Sequence, residues 1–467
     1  MSGTEDKEYY AQLARALECA ALSPVESQAS TLERLTGLRQ LEKARKLPIQ
    51  DAETLREQLE LAWRTGGSGI RSFARTTGTT SEPKNIPLNR AYLASLHRTL
   101  TLTTASLLHT SGEWETLLCG KRVLLGSRPL VGQSPTGLPV GDISGMIIEM
   151  SAQAAKEHHI PSARELHIPD WRQKMELIAE RARKQNVVSI NGIPALTMSF
   201  TELMLDRYGV GTLTEIWPEL RILISGAVAL TDGFKRYIGE TWTGGSRKIR
   251  FVDTYFASEG QFGLTYDDSW PGMVFNTFEN FFQFSEGLDG RELLQLHELQ
   301  TGKQYSIFVT TPGGLVNYRM GDRIEVLSTR PWTFRVAGRE GEELSLTGEK
   351  ITTAQVEAAW DQVTSTLRLA NRDFAIWAEE GVQNHLVWAI PESLAGKITA
   401  AALDLALCER NTLYLEAKEF ENVFGDAKLC VVADGTFSRY RERKLGNGQF
   451  KPRRLFRTQE LFLAEYE

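Results

Sequence analysis

Thr76-Thr77-Gly78-Thr79-Thr80-Ser81 gathers five hydroxyl side chains around one glycine within six residues, and Glu82-Pro83-Lys84 follows with a lysine. Backbone N–H groups and hydroxyls in such a turn wrap an oligophosphate, and a nearby ammonium balances its charge. The spacing is not the GxxxxGK[ST] loop of the common nucleotide-binding folds, which this chain lacks. A polar surface linker has the same composition, so the segment gains meaning only from its company. Tyr255-Phe256-Ala257-Ser258-Glu259-Gly260 offers an aromatic face, a hydroxyl and a carboxylate. Glu259 suits Mg²⁺ held against phosphate oxygens, and Ser258 suits the phosphate nearest the sugar. The small-residue turn at Gly226, Ala227 and Val228 lets a flat ring such as adenine lie against backbone. In Tyr318-Arg319-Met320-Gly321-Asp322 a carboxylate arrives at a strand end, suited to accept both ribose hydroxyls, although Asp after Gly is also a common turn former. Lys350 and Lys451 reach a phosphate only if a mobile domain carries them there; alone, each reads as a solvated surface group.

The elements that must position these groups are legible in outline. Leucines at helical spacing (Leu32, Leu35, Leu38, Leu41) predict two or three amphipathic helices over residues 5–65, broken near Leu47-Pro48. From about 86 to 330, helical patterns alternate with short apolar runs such as Val187-Val188-Ser189-Ile190 and Ile222-Leu223-Ile224, which predicts an α/β domain with mostly buried strands. After a composition change near residue 330, Pro331-Trp332 and then Gly338–Glu343 make a charged, glycine-containing stretch that suits a linker or hinge. Beyond it, helices are expected around Thr353–Leu367 and Leu394–Glu416, with strands around Asp373–Ala378, His385–Ile390 and Lys428–Ala433. The expected organisation is a large α/β domain over 1–345 and a smaller α+β domain over 346–467.

Composition bounds the function. With 467 residues, 42% hydrophobic content and a net charge of −6, the chain reads as an ordinary globular protein with no nucleic-acid or anionic-membrane footprint. No apolar run approaches the ~20 residues of a membrane span, and the polar, acidic N-terminus is unlike a signal peptide, so a cytoplasmic location is expected. Cys19, Cys119, Cys408 and Cys430 are scattered, as free thiols are, and His158, His159 and His167 show no zinc-ligand spacing.

The order of these segments resembles the adenylate-forming enzymes, and more closely the auxin-responsive acyl acid amido synthetases of the Gretchen Hagen family. Thr77-Gly78-Thr79-Thr80 is similar to that family's phosphate loop, Tyr255 to Glu259 to its Tyr-x-x-Ser-Glu segment, and Tyr318 to Asp322 to its Tyr-Arg-x-Gly-Asp. Gly192-Ile193-Pro194 and Gln449-Phe450-Lys451 add two further likenesses. The resemblance implies that a small carboxylic acid is activated by ATP and Mg²⁺ as an acyl-adenylate, which an amine then attacks to give an amide. It implies that Thr76, Thr77, Gly78, Thr79, Thr80 and Ser81 hold the outer phosphates. Ser258 and Glu259 take the α-phosphate and metal, and Asp322 takes the ribose. Tyr255 lies near adenine beside Gly226, Ala227 and Val228. Arg339 stands near ribose and phosphate, and Lys350 and Lys451 arrive with a closing C-terminal lid. One departure is Gln283-Phe284, where the family carries a glutamate before the phenylalanine. Two alternatives stay open: a thioester-forming ligase using coenzyme A or a carrier protein, and a non-catalytic relative that binds nucleotide or acyl acid. The segment Gly141–Ile148 is a candidate lining of the acyl pocket, or an ordinary buried helix face.

Overall fold

The structure is a computed structural model. It describes residues 5–76, 84–112, 114–150, 157–162, 164–226, 230–287, 290, 292–339, 343–344, 346, 349, 351–366, 373–381, 383–419, 423–445 and 452–466. Two sheets organise the first part of the chain. A small one joins β1 (Ile70–Arg75), β2 (Asn85–Asn89), β4 (Gly132–Gln133) and β5 (Pro139–Gly141) in the order β2-β1-β5-β4. The large one contains twelve strands. Its parallel half comprises β3 (Lys121–Leu125), β6 (His159–Ile160), β7 (Val187–Gly192), β8 (Ile222–Gly226) and β9 (Arg250–Ala257), ordered β9-β8-β7-β3-β6. The other half begins with β10 (Gly260–Leu264), which turns back antiparallel on β9, and continues with β11 (Met273–Phe275), β12 (Phe281–Ser285), β13 (Leu294–Gln295), β14 (Gln304–Thr310), β15 (Tyr318–Thr329) and β16 (Trp332–Arg339).

The expected alternation of strand and helix therefore ends at β9. Beyond β9 lies an antiparallel run whose core is aromatic: Phe262, Phe275, Phe282, Phe284, Tyr305 and Phe334 pack in one cluster with Tyr255. β12 is buried at all five positions, so it lacks the alternation that marks a half-buried strand. The stretch expected to be a linker also begins as structure. Trp332 to Arg339 form β16, because Phe334 is fully buried and stacks on Phe275 with ring centroids 4.1 Å apart.

Capped helices flank the parallel strands. Asn89 Oδ1 accepts from Tyr92 N at 2.8 Å and starts the 22-residue helix Arg90–Ser111. Asp170 Oδ1 does the same for Gln173 N at 2.6 Å and starts Trp171–Ala182. Pro194 opens Pro194–Tyr208 from its first turn. Four helices, not two or three, precede β1: Glu5–Leu22, Pro24–Thr36, Leu41–Ala44 and Arg56–Thr65.

By contacts the chain divides after Val336, nine residues before the expected boundary, and the start of the helix Asp232–Thr243 groups with the C-terminal unit. There Asp361 Oδ2 accepts from Gly233 N at 2.9 Å. The C-terminal unit has its own sheet, ordered β19 (Lys428–Val432), β18 (His385–Pro391), β17 (Ala375–Glu379), β20 (Leu455–Phe456). Its core centres on Trp360, Phe374 and Trp388. The single helix expected over Leu394–Glu416 is split into Ala400–Cys408 and Thr412–Glu419. Thr399 caps the first, and the Asn411 side chain accepts from Tyr414 N at 2.9 Å to start the second. Among the described residues no helix is long and apolar enough to cross a membrane.

Candidate active site

The parallel strands end level with one another. Leu125 lies opposite Gly192, Asn191 opposite Ile224, and Gly226 opposite Thr254. Open α/β sheets bind ligands beyond the carboxyl ends of such strands, so Gly126-Ser127, Gly192, Gly226 and the Ser258-Glu259 turn share the candidate edge. At Gly226 a Cβ would lie 2.7 Å from Thr254 Oγ1, which itself donates to the Ser225 carbonyl. Only glycine fits there without displacing that hydroxyl. Ala227 and Val228 lie outside the described residues.

The hydroxyl-rich segment is the connection of the antiparallel pair β1–β2. Thr76 N donates to the Lys84 carbonyl and Lys84 N donates to Thr76 Oγ1, both at 2.8 Å, so the base of the connection is clamped from both ends. Thr77, Gly78, Thr79, Thr80 and Ser81 lie outside the described residues, as do Lys350 and Lys451.

Ser258 and Glu259 form the two-residue turn between β9 and β10, with Ser258 buried and Glu259 half-buried. Tyr255 differs from its expected position. The register that sets it opposite Gly263 turns the ring into the aromatic core, 6% exposed, with Phe262 and Phe334 centroids at 5.2 and 6.2 Å. Only its hydroxyl reaches outward, donating to Asp322 Oδ2 at 2.5 Å. Asp322 owes its direction to a bulge in β15. Met320, Gly321 and Asp322 face Ile307 alone, and Gly321 takes a φ of +76°. Asp322 is thus joined to Tyr255, on the strand that ends in the Ser258-Glu259 turn. Arg339 sits half-buried at the end of β16.

Sequence reasoning missed Tyr92. Its phenol pKa is pushed up, first by burial and then by the negative charge of Glu259, which places the two within electrostatic reach. Tyr92 Oη has no hydrogen-bond partner among the described residues. The readable signal was Asn89, the cap that fixes Tyr92 in the first turn of its helix. Tyr92 packs with Leu88, Leu96, Ile143 and Met146, so the buried face of Ile143–Met150 adjoins the Glu259 side of the site. Gln283 lies fully buried within β12, where it pairs with Phe308 and Gln295. The buried carboxylate nearby in sequence is Glu279, held bidentate by Arg98 at 2.6 and 2.8 Å. An open groove of about 910 Å³ opens elsewhere, at the amino end of β3, lined by Lys121, His159, Arg181 and Arg207 among others.

Known proteins share this architecture. Models of the GH3 family N-terminal domain and the GH3 family central domain match residues 66–182 and 270–339. Indole-3-acetic acid-amido synthetase GH3.8 of Oryza sativa subsp. indica is 24% identical over 265 residues, 51% of this chain and 43% of that protein. The corresponding figures for GH3.4 of Arabidopsis thaliana are 24% over 266 residues, 51% and 44%. The chain thus spans less than half the length of these curated relatives. The solved acyl acid amido synthetase AtGH3.15 in complex with 2,4-DB superposes with a TM-score of 0.77 at 17% identity, covering 100% of this chain and 97% of that one. A 2-hydroxyisobutyryl-CoA ligase in its postadenylation state gives 0.58 at 15% identity, covering 99% and 92%.

A switch from parallel to antiparallel strands, with an acid-bearing turn at the junction, is the fold of the adenylate-forming enzymes. Within that fold, residues 66–182 and 270–339 match models of GH3 family domains, the Gretchen Hagen family that the motifs of this chain resemble.

Proposed function

We propose that the protein is an AMP-forming acid–amine ligase: it adenylates a small carboxylic acid with ATP and transfers the acyl group to an amine as an amide. The observation that supports this reading is the Tyr255–Asp322 hydrogen bond, which ties a carboxylate suited to ribose to the strand that runs, four residues on, into Glu259. Asp322 accepts the ribose hydroxyls with Tyr255 fixing its rotation. Thr76 and the clamped connection after it receive the outer phosphates through hydroxyl and N–H donors. Ser258 touches the α-phosphate, and the Gly226 turn admits adenine against backbone.

Among the described residues no three carboxylates, histidines or cysteines cluster as a protein-built metal cage would require. The half-buried Glu259 supplies one oxygen, which fits Mg²⁺ that arrives with the triphosphate and offsets its charge. Lys350, Lys451 and Arg339 contribute cations once the C-terminal domain, 346–467 in the sequence reading, closes as a lid. The expected setting is cytoplasmic.

The test is acid-dependent pyrophosphate release from Mg-ATP over aryl, alkyl and amino acids, followed by acceptors offered singly. Pyrophosphate release followed by amide is expected. Thioester with coenzyme A would turn the reading to the thioester ligase, and tight ATP binding without release to a non-catalytic binder.

A further inference from the structure

The parallel strands have a second end. At their amino ends lies the open groove of about 910 Å³, bounded by the start of β3, by β6 and by the last turns of the helices Trp171–Ala182 and Pro194–Tyr208. Lys121 stands opposite Val187 and Arg122 opposite His159, so the strand registers that level the other edge also set this one. Roughly 15 Å of strand separates the groove from the candidate nucleotide edge.

The lining is cationic, in a chain whose net charge is −6. Lys121, Arg181, Arg183, Lys184 and Arg207 line it against the acids Glu157 and Glu180. The helix dipoles account for a basic residue in each last turn, Arg181 and Arg207. Lys121, Arg183 and Lys184 lie beyond that explanation. Arg181 is committed: its Nε lies 3.0 Å from Glu165 Oε1, and Glu165 also accepts from Ser162 N and Oγ at 2.8 and 2.7 Å. Lys121 Nζ donates to the Glu157 carbonyl at 2.7 Å, which leaves its charge unneutralised. Arg183 Cζ lies 4.6 Å from the Tyr208 ring centroid, and Tyr208 Oη donates to the Ala179 carbonyl at 3.2 Å, which pins the ring. Stacking of this kind holds a guanidinium in place and leaves its N–H edge open. Among the described residues, Lys184 and Arg207 make no side-chain hydrogen bond or ion pair. Four cations around one concavity, none closing an ion pair, repel one another until an anion enters. The net negative charge of the chain opposes a long polyanion or an anionic membrane, whereas a compact anion of several charges fits the groove. Phosphoryl groups match the mixture, because a guanidinium forks onto two oxygens and an ammonium acts as a point charge.

We infer that this groove binds a compact polyphosphate, an anion with at least two linked phosphoryl groups, at a site separate from the nucleotide edge. Arg183 offers forked N–H donors from its place on Tyr208, and Lys121, Lys184 and Arg207 balance the charge of the outer oxygens. The site stands apart from the ligase reading and holds or fails by itself.

The experiment measures binding of inorganic pyrophosphate to the full chain by calorimetry at low salt with EDTA, in wild type, Lys184→Gln, Arg207→Gln and the double variant. Hydrogen exchange locates the bound anion. Pyrophosphate is expected to bind, to protect amides around residues 180–186 and 205–209, and to weaken as salt is added. Each substitution should weaken it on the order of 10-fold with Tm unchanged, since one charged contact is lost. ADP in place of pyrophosphate sorts the source of the phosphates. Tighter binding of ADP at the same helix ends names a nucleoside diphosphate, and equal or weaker binding names free pyrophosphate; both support the site. Affinity unmoved in the double variant, sulfate bound as well as pyrophosphate, or protection confined to the carboxyl ends of the strands overturns it. So does a preference for duplex DNA or anionic vesicles that the same variants abolish.

Discussion

The two halves of the large sheet treat charge in opposite ways. In the antiparallel half, two carboxylates are met by side-chain donors. Tyr255 donates to Asp322, and Arg98 grips Glu279 with two hydrogen bonds. At the edge of the parallel half, Asp142 and Arg128 adjoin without an ion pair. A group that holds a constant part of a substrate gains from being fixed beforehand, because no rotamer freedom is lost on binding. A group that waits for a charged partner must stay unpaired until that partner arrives.

Five experiments bear on this contrast. The largest effect belongs to Glu259→Ala, which should lower pyrophosphate release by about 10³-fold or more with little change in Tm, because the carboxylate faces developing charge rather than the core. Unaltered release would remove Glu259 from the metal. Gly141→Ala tests how tightly β5 seats the loop after β3: its Cβ would overlap the Pro129 carbonyl, so a loss of ~3 kcal/mol is expected in urea denaturation, and a loss under ~1 kcal/mol would mean the loop gives way. Arg98→Met should destabilise by ~2 kcal/mol, since it strands the buried Glu279, tempered by the half-exposed Arg98 side chain. A neutral outcome would show that the fork contributes no net stability.

Tyr255→Phe removes one hydrogen bond to a carboxylate and should weaken ATP about 10-fold. It should also shrink the discrimination between ATP and 2′-deoxy-ATP, measured by calorimetry; full discrimination in the variant would free Asp322 from Tyr255. The smallest effect is in pH. The Asp142 carboxyl, ordinarily at 3.8, sits at about 6 in the folded chain. The folded state holds the extra proton between these values, so this group's contribution to stability is full below about 4 and is lost as pH rises through about 6. About 1 kcal/mol is expected after allowing for partial exposure, and Asp142→Asn should flatten that slope in urea melts taken from pH 4 to 7.

Much of the fold and site is legible in the sequence where the signal is local. Val187–Gly192 and Ile222–Gly226 are buried parallel strands, and their continuous apolar runs announce them. Residue type and spacing pick out the Ser258-Glu259 segment and Asp322 as candidates. They do not give the role of Tyr255, because its partner lies 67 residues away and is chosen by strand register rather than by neighbours. β16 reads as linker in the sequence because charged residues come after it, while its buried Phe334 needs Phe275 to have meaning. Arg128 carries no motif. Its position depends on two glycines, Gly141 and Gly145, that look like ordinary turn residues until their neighbours are in place.

The bulge in β15 also limits how this chain can change length. Because three residues face one, the strand on either side stays in step, and Tyr318 and Ile324 both turn to the aromatic core. Deleting a single residue between them would put one flank out of phase and carry its core side chains to the opposite face. Drift in chain length is therefore expected at the loops and not inside this strand, since an odd insertion there would exchange inside for outside along the rest of its length.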